Sequence, residues 1–483
     1  MRFAATVTSS LCVLFASAAP APEGASGGSS TANWEKSLVH VRIHGQEVRW
    51  KEPWHRQSPY THSLNGLVVE GKRILIPGTS LFSPGFIEVR RPGKELWREA
   101  KLVNFDGTLP LAVLEVADES FWAGLTPAPL AENVAQLGEV TVLGWSNERM
   151  ASARSNSIKL EVGTHSFGRF GLLSLRASGG GDTAGVGDIL VSQGKVVGLS
   201  TSKNDGAYWA IAAPFLRLYL KAVGDSPYRG FGRGGFAFEP LTNPALRELY
   251  GLGEDQGGIR LRTVHPSDSA SGALKVDDLV LAIDGRAIDA QGRFAHPLYG
   301  RMPLGLILTD GHRAGDTLEF QVLRGGKALK VPVTLKRTSP QDDRVPSNMV
   351  GAKADWEIVG GLVFQHLTHS YLSIFGGWRE SGPPRLVIAD AFYRELPSAD
   401  ARRIVVMTHV LPDAVNLGYQ DLNNLLLDTV NGKPVRHLDE LRSALAQPQG
   451  GFHVFEFAAG QAVRRVVLDV AETEAAKARV DPT

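Results

Sequence analysis

The sequence predicts a mainly β protein in which an N-terminal half of many short strands is followed by two copies of one small α+β unit. Three observations carry this. From about Trp34 to Leu220, short alternating runs are separated by glycine, proline and asparagine turns with few helical patterns, which argues a barrel or a sandwich. Leu279, Leu281 and Ile283 alternate ahead of an Asp284-Gly285 turn, the pattern of a half-buried strand entering a hairpin. Gly234-Gly235-Phe236-Ala237-Phe238-Glu239-Pro240-Leu241-Thr242 is repeated as Gly360-Gly361-Leu362-Val363-Phe364-Gln365-His366-Leu367-Thr368, and each copy is followed by a helical stretch with a leucine at the same offset, Leu246 and Leu372. A repeat at this spacing means duplicated domains rather than a solenoid.

The 483 residues are enough for three domains with real cores, and the apolar and charged fractions are those of a soluble globular protein. Lysine and arginine number 51 against 50 aspartates and glutamates, so no broad attraction to nucleic acid or anionic lipid is implied. Arg2, an apolar run from Val7 to Ala16 and Ala16-Ser17-Ala18 make a secretory signal peptide over residues 1–18, too short to span a membrane, and nothing later in the chain approaches a span. The expected address is therefore outside the cytoplasm, periplasmic or extracellular. Residues 19–33, nearly all Ala, Pro, Gly and Ser, read as a flexible leader. The single cysteine, Cys12, lies in the signal segment, so the mature chain has neither disulfides nor cysteine metal ligands.

Within residues 34–226, two landmarks stand out: Leu109-Pro110-Leu111-Ala112-Val113-Leu114 and Leu190-Val191-Ser192-Gln193-Gly194-Lys195-Val196-Val197-Gly198-Leu199. They resemble the strands around the catalytic Asp and after the catalytic Ser of HtrA/Deg proteases, which implies a chymotrypsin-like double β-barrel. Cleavage of peptide bonds needs a hydroxyl nucleophile, a histidine to take its proton and a carboxylate to orient the histidine. Carried over position by position, the resemblance puts Thr79 where the family has His, Pro110 where it has Asp and Val186 where it has Ser. All three triad members are absent, and the barrel reads as retained with its chemistry discarded. The competing reading is a relocated nucleophile at Thr183, with His55, His62 or His165 as base and Asp106 or Asp182 as orienter.

Leu216 to Lys221 reads as a short helix leading to a boundary at Ser226-Pro227. In residues 227–337, the glycine-rich loop Tyr228 to Gly235 runs into Phe236-Ala237-Phe238, which resembles the PDZ domains of the same family. Backbone amides of such a loop take a chain-end carboxylate and the strand edge pairs with the peptide, so Arg229, Gly230, Gly234, Gly235, Phe236, Ala237 and Phe238 are the candidate peptide site. The apolar loop from Gln291 to His312 is expected to be a contact surface. After a linker, residues 338–355, the second unit spans 356–472 with Gly361, Leu362, Val363 and Phe364 as its loop and an Asn431-Gly432 turn parallel to Asp284-Gly285. An insertion from Tyr371 through Trp378 to about Leu396 is placed to fill or cover this unit's groove. The second unit is assigned to assembly and the first to ligand. The tail, 473–483, is expected to be a short exposed helix or frayed end.

His62, His265, His366 and His369 do not form a metal-ligand run, Ser178-Gly179-Gly180-Gly181 lacks the Lys and Ser/Thr of a phosphate loop, and Trp54, Trp97, Trp122 and Trp145 read as core or rim; no metal or cofactor is expected. The sequence thus points to a pseudoprotease that binds unfolded polypeptides or C-terminal segments, with a homo-oligomer implied by the resemblance. An active serine or threonine endopeptidase and a structural adaptor with self-plugged grooves are the alternatives.

Overall fold

A computed structural model describes residues 34–480 apart from 82, 147–148, 155–156, 164–169, 179–184, 205–206, 254–255, 267, 338–342, 347–353 and 394–402. Two seven-stranded, barrel-like antiparallel sheets form the N-terminal half. The first runs Arg98–Glu99, Pro84–Arg90, Leu38–Gly45, Tyr60–Val69, Arg73–Pro77, Leu111–Glu115, Lys101–Asn104. The second runs Ser157–Gly163, Leu172–Ser178, Ala207–Ala212, Lys195–Asn204, Ile189–Ser192, Thr141–Ser146, Arg149–Arg154.

Period-two alternation sends the residues of Leu38–Gly45 to two apolar compartments. Val39, Val41 and Ile43 close on Ile74, Ile76 and Leu114 inside the first sheet, whereas Leu38 joins Leu67, Leu75 and Val113 against the second sheet. The predicted helix exists as Ala213–Val223, buries Phe215, Leu216, Tyr219 and Ala222 along one face, and anchors on the first sheet. There the Tyr219 hydroxyl donates to Asn104 Oδ1 (2.9 Å) or to the Leu111 carbonyl (3.2 Å).

The duplicated units each carry an antiparallel sheet. That of the first unit runs Phe236–Pro240, Ile259–Val264, Leu279–Ile283, Thr317–Arg324, Lys327–Thr334, with Arg286–Ala287 beside Leu279–Ile283. That of the second runs Trp356–Val359, Leu362–His366, Val405–Val410, Leu425–Val430, Phe452–Phe457, Arg465–Asp469, with Lys433–Pro434 beside Leu425–Val430. The parallel turns are real: Asp284 and Gly285, like Asn431 and Gly432, have positive φ at both central positions, which a two-residue hairpin of the right twist requires.

Three expectations are revised. The loop from Gln291 to His312 turns its apolar side chains inward: Phe294, Met302, Leu304, Leu306 and Ile307 are buried, and Gly305 and Leu306 pack on Gly171, directly before the strand Leu172–Ser178, where Thr309 Oγ1 donates to the Gly171 carbonyl (2.5 Å). Its contact surface is this chain's own barrel. The second unit's insertion does not lie on the groove. Tyr371, Trp378, Leu386 and Ala389 pack with Leu367 and Val406, while Phe364, Val405 and Met407 turn to the opposite face of the sheet, toward Leu438 and Leu441. The insertion therefore covers the back of the sheet; its residues 394–402 lie outside the described residues. The tail is helical but not free, since the helix Val470–Val480 buries Thr473, Ala476 and Val480. Among the described residues no helix is long and apolar enough to cross a membrane.

Candidate functional site

Of the three positions that the resemblance assigns to a triad, Thr79 and the turn holding Val186 reach one short segment, Ser200–Thr201, while Pro110 bonds to Gly78. Thr79, in the single helical turn Gly78–Ser80, directs its hydroxyl at the Thr201 carbonyl (3.4 Å). Pro110 accepts from the Gly78 amide through its carbonyl (2.9 Å). Val186 opens the turn before Ile189–Ser192, and the Gly187 amide donates to the Ser200 carbonyl (2.9 Å). Thr79 and Pro110 carry neither an imidazole nor a carboxylate, and Val186 carries no hydroxyl.

What fills the turn instead is Asp188, fully buried. Its carboxyl oxygens accept from Asn65 Nδ2 (2.8 Å) and from the Gly185 amide (2.9 Å), and its own amide and carbonyl bond to Gly185 and Ser200. Asn65 sits on Tyr60–Val69 of the first sheet and receives the Trp145 amide of the second at Oδ1 (3.2 Å). The turn thus spends the amides of Gly185, Gly187 and Asp188 on internal partners. Packing is close enough that a Cβ at Gly144 would lie 2.0 Å from Asp188 Oδ1, and one at Gly187 would lie 2.2 Å from the Asn65 carbonyl oxygen.

The components of a relocated triad are not assembled among the described residues. Thr183, His165 and Asp182 lie outside them. His55 pairs with Glu52 (3.4 Å), and the His62 ring lies against Tyr60 (4.9 Å). Asp106 accepts from the Thr108 and Leu109 amides at Oδ1 and from the Tyr228 hydroxyl (2.9 Å) at Oδ2. Burial first, and then the neighbouring Asp106, push the Tyr228 phenol well up from its ordinary range, so it is a fixed donor holding the first unit to the barrel.

In the first unit, Phe236–Pro240 is the terminal strand of its sheet, paired on one side by Ile259–Val264. Gly234 lies close to Leu308, and the half-buried Phe236 ring meets the buried Phe320 edge-on. The loop before it is braced rather than basic: Arg229 binds Asp316 (2.6 Å), Arg233 binds the buried Asp268 (2.7 Å), and the Gly230, Gly234 and Gly235 carbonyls accept from Ala314, Ala270 and His265.

The second unit differs in one decisive respect. Leu362–His366 is paired on both sides, because Trp356–Val359 folds back on it through Gly360-Gly361 in the register Val359↔Leu362 to Trp356↔Gln365. The folded-back strand lies where an added peptide strand would, and Arg442 of the helix Leu438–Leu445 clamps it. The guanidinium binds Asp355 (2.7 Å), Glu357 (2.8 Å) and the Trp356 carbonyl (3.0 Å). Gly361 can turn there because it has φ +86°, and a side chain would meet the Leu411 carbonyl and Asn416. Sequence reasoning missed this strand although its signal was present: Gly-Gly between Trp-Glu-Ile-Val and Leu-Val-Phe-Gln is a hairpin pattern. It also missed Asn65 and Asp188, which no local pattern connects.

The first turn of the helix Leu438–Leu445 is held by His366, whose Nε2 accepts the Leu438 amide (3.1 Å) and must therefore be unprotonated. Burial, then the nearby His437, lower its pKa to about 4. The unfolded chain takes up that proton first as pH falls, so the stabilisation is complete above about pH 6.5 and is lost progressively down to about pH 4, in all about 3 kcal/mol. Amide exchange of Leu438–Leu445 is expected to accelerate on going from about pH 7.5 to about pH 5, after correction for intrinsic rates, more in the parent than in His366→Gln. Equal responses would remove His366 as the cause.

A family profile for the PDZ domain matches residues 345–480. The chain is 25% identical to Protease Do-like 2, chloroplastic, of Arabidopsis thaliana, over 88% of this chain and 70% of the relative. It is 24% identical to Protease Do-like 4, mitochondrial, of the same plant, over 81% and 73%. Among solved structures, an AlgW variant, an HtrA-type protease with decapeptide, aligns at a TM-score of 0.50 with 17% identity, covering 64% of this chain and 98% of that one, a likeness of fold. Barrel-like sheets in the N-terminal half, the PDZ match and the protease relatives agree: the chain is similar to the HtrA/Deg proteases over most of its length.

Proposed function

We propose that this protein is an exported HtrA/Deg pseudoprotease that holds unfolded polypeptides or their C-terminal segments without cutting them. The observation that supports the reading is the Val186 turn: by resemblance an isopropyl group stands where the family has its nucleophile, and the buried Asp188 takes up the Gly185 amide. Ligand is assigned to the first unit, at Arg229, Gly230, Gly234, Gly235, Phe236, Ala237 and Phe238, because its terminal strand has a side available for strand addition. Strand Trp356–Val359 favours the adaptor reading for the second unit, whose loop residues Gly361, Leu362, Val363 and Phe364 already have a partner in cis. Export rests on the Met1 to Ala18 segment, and assembly into a homo-oligomer rests on family resemblance.

The test is mass-spectrometric detection of new termini after incubating the mature protein with an unfolded substrate, beside Thr183→Ala. The expected result is no new termini from either protein, with the substrate kept soluble. Cleavage lost in Thr183→Ala would replace this reading with a relocated nucleophile.

A further inference from the structure

A cavity of about 570 Å³ runs along strand Trp356–Val359. Its walls are the end of the helix Leu438–Leu445, His453 of the strand Phe452–Phe457 and the terminal helix Val470–Val480. Its volume is in the range of small-ligand sites, roughly 300–1,000 Å³. Two polar atoms in its lining have no hydrogen-bond partner, Nδ1 of His453 and Oγ1 of Thr473, on side chains 8% and 5% exposed. A buried polar atom without a partner is a standing cost to the fold, and here two belong to side chains that line one cavity.

The charged groups of the lining are already matched with each other, Glu357 with Arg442 (2.8 Å) and Glu474 with Lys477 (2.5 Å). A carboxylate entering here would meet two glutamates and have to break the Lys477 pair, and an ammonium would meet Arg442 and Lys477. The two unmatched atoms belong to neutral groups that can each donate or accept, and burial with Lys477 nearby keeps the His453 ring toward its neutral form. Ile358, Leu445 and Val480 supply apolar wall between them.

We propose that this cavity binds a neutral amide-bearing ligand with an apolar side group, the chemistry of an internal stretch of polypeptide. The amide N–H and C=O would complete His453 Nδ1 and Thr473 Oγ1, and the side group would rest on Ile358 and Leu445. The site differs in place and chemistry from a groove that captures a terminal carboxylate, and does not depend on the first unit.

The experiment titrates the mature chain with N-acetyl-leucinamide and with N-acetyl-leucine, read by calorimetry and by melting temperature. The amide is expected to bind and to raise the melting temperature, the acid to bind at least about tenfold more weakly, and Thr473→Val and His453→Phe each to weaken amide binding roughly three- to tenfold. Without ligand, Thr473→Val is expected to melt no lower than the parent, since its hydroxyl has no bond to lose. Failure of the amide to bind, equal binding of the acid, unchanged binding in Thr473→Val, or a lower melting temperature for that variant would each overturn the proposal.

Discussion

Asp188→Ala is expected to destabilise the N-terminal half by about 3–5 kcal/mol, the range for breaking a buried polar network by removing one partner. The side chain is the acceptor for both Asn65 Nδ2 and the Gly185 amide, so alanine strands two donors away from water. The loss spreads because Asn65 also holds the Trp145 amide, which ties the first sheet to the second at the turn itself. Gly144 packs directly on the carboxyl group, so alanine leaves a void there as well. Denaturation followed by tryptophan fluorescence measures the effect, with Trp145 a reporter beside the site. A double-mutant cycle with Asn65→Ala should return a coupling of about 1–3 kcal/mol. Additive losses would mean that the two residues act separately.

Gly235→Ala is expected to cost about 2–5 kcal/mol and to abolish capture of a fluorescent C-terminal peptide by the first unit. Two independent effects add. Gly235 has φ +73°, which costs an L-residue about 1–2 kcal/mol. Its Cβ would lie 1.8 Å from the Cβ of Asp268, a buried residue held by Arg233, so the loop must move, at about 1–3 kcal/mol for overpacking. Phe236 follows directly, and any shift misplaces the strand edge. Fluorescence anisotropy measures the binding, and Gly251→Ala, with positive φ but open space around it, separates backbone strain from the clash. Wild-type affinity in Gly235→Ala would remove this loop from the peptide site.

Strand alternation around Leu38 to Ile43, the helix near Leu216 and the paired Asp284-Gly285 and Asn431-Gly432 turns were legible because local spacing and turn chemistry determine them. Asp188 and Asn65 were not: they stand 123 positions apart, and only the closure of one sheet on the other brings them together. The insertion around Trp378 was misplaced for a related reason. Its apolar residues announce burial, but which face of the sheet they cover depends on whether Leu367 and Val406 or Phe364 and Met407 point toward them, and a one-residue change of register reverses that.

The strand Trp356–Val359 makes its groove a competition assay built into the chain. A four-residue occupant joined by two glycines stands at an effective concentration of order millimolar or above, and it never diffuses away. An outside peptide must displace it, so each 1.4 kcal/mol or so favouring the closed hairpin makes the groove look about tenfold weaker from solution. The threshold is therefore written outside the groove walls, in one guanidinium and the carboxyl groups of Asp355, Glu357 and Asp439 that it holds. Neutralising those charges would retune the threshold while leaving the binding surface unaltered.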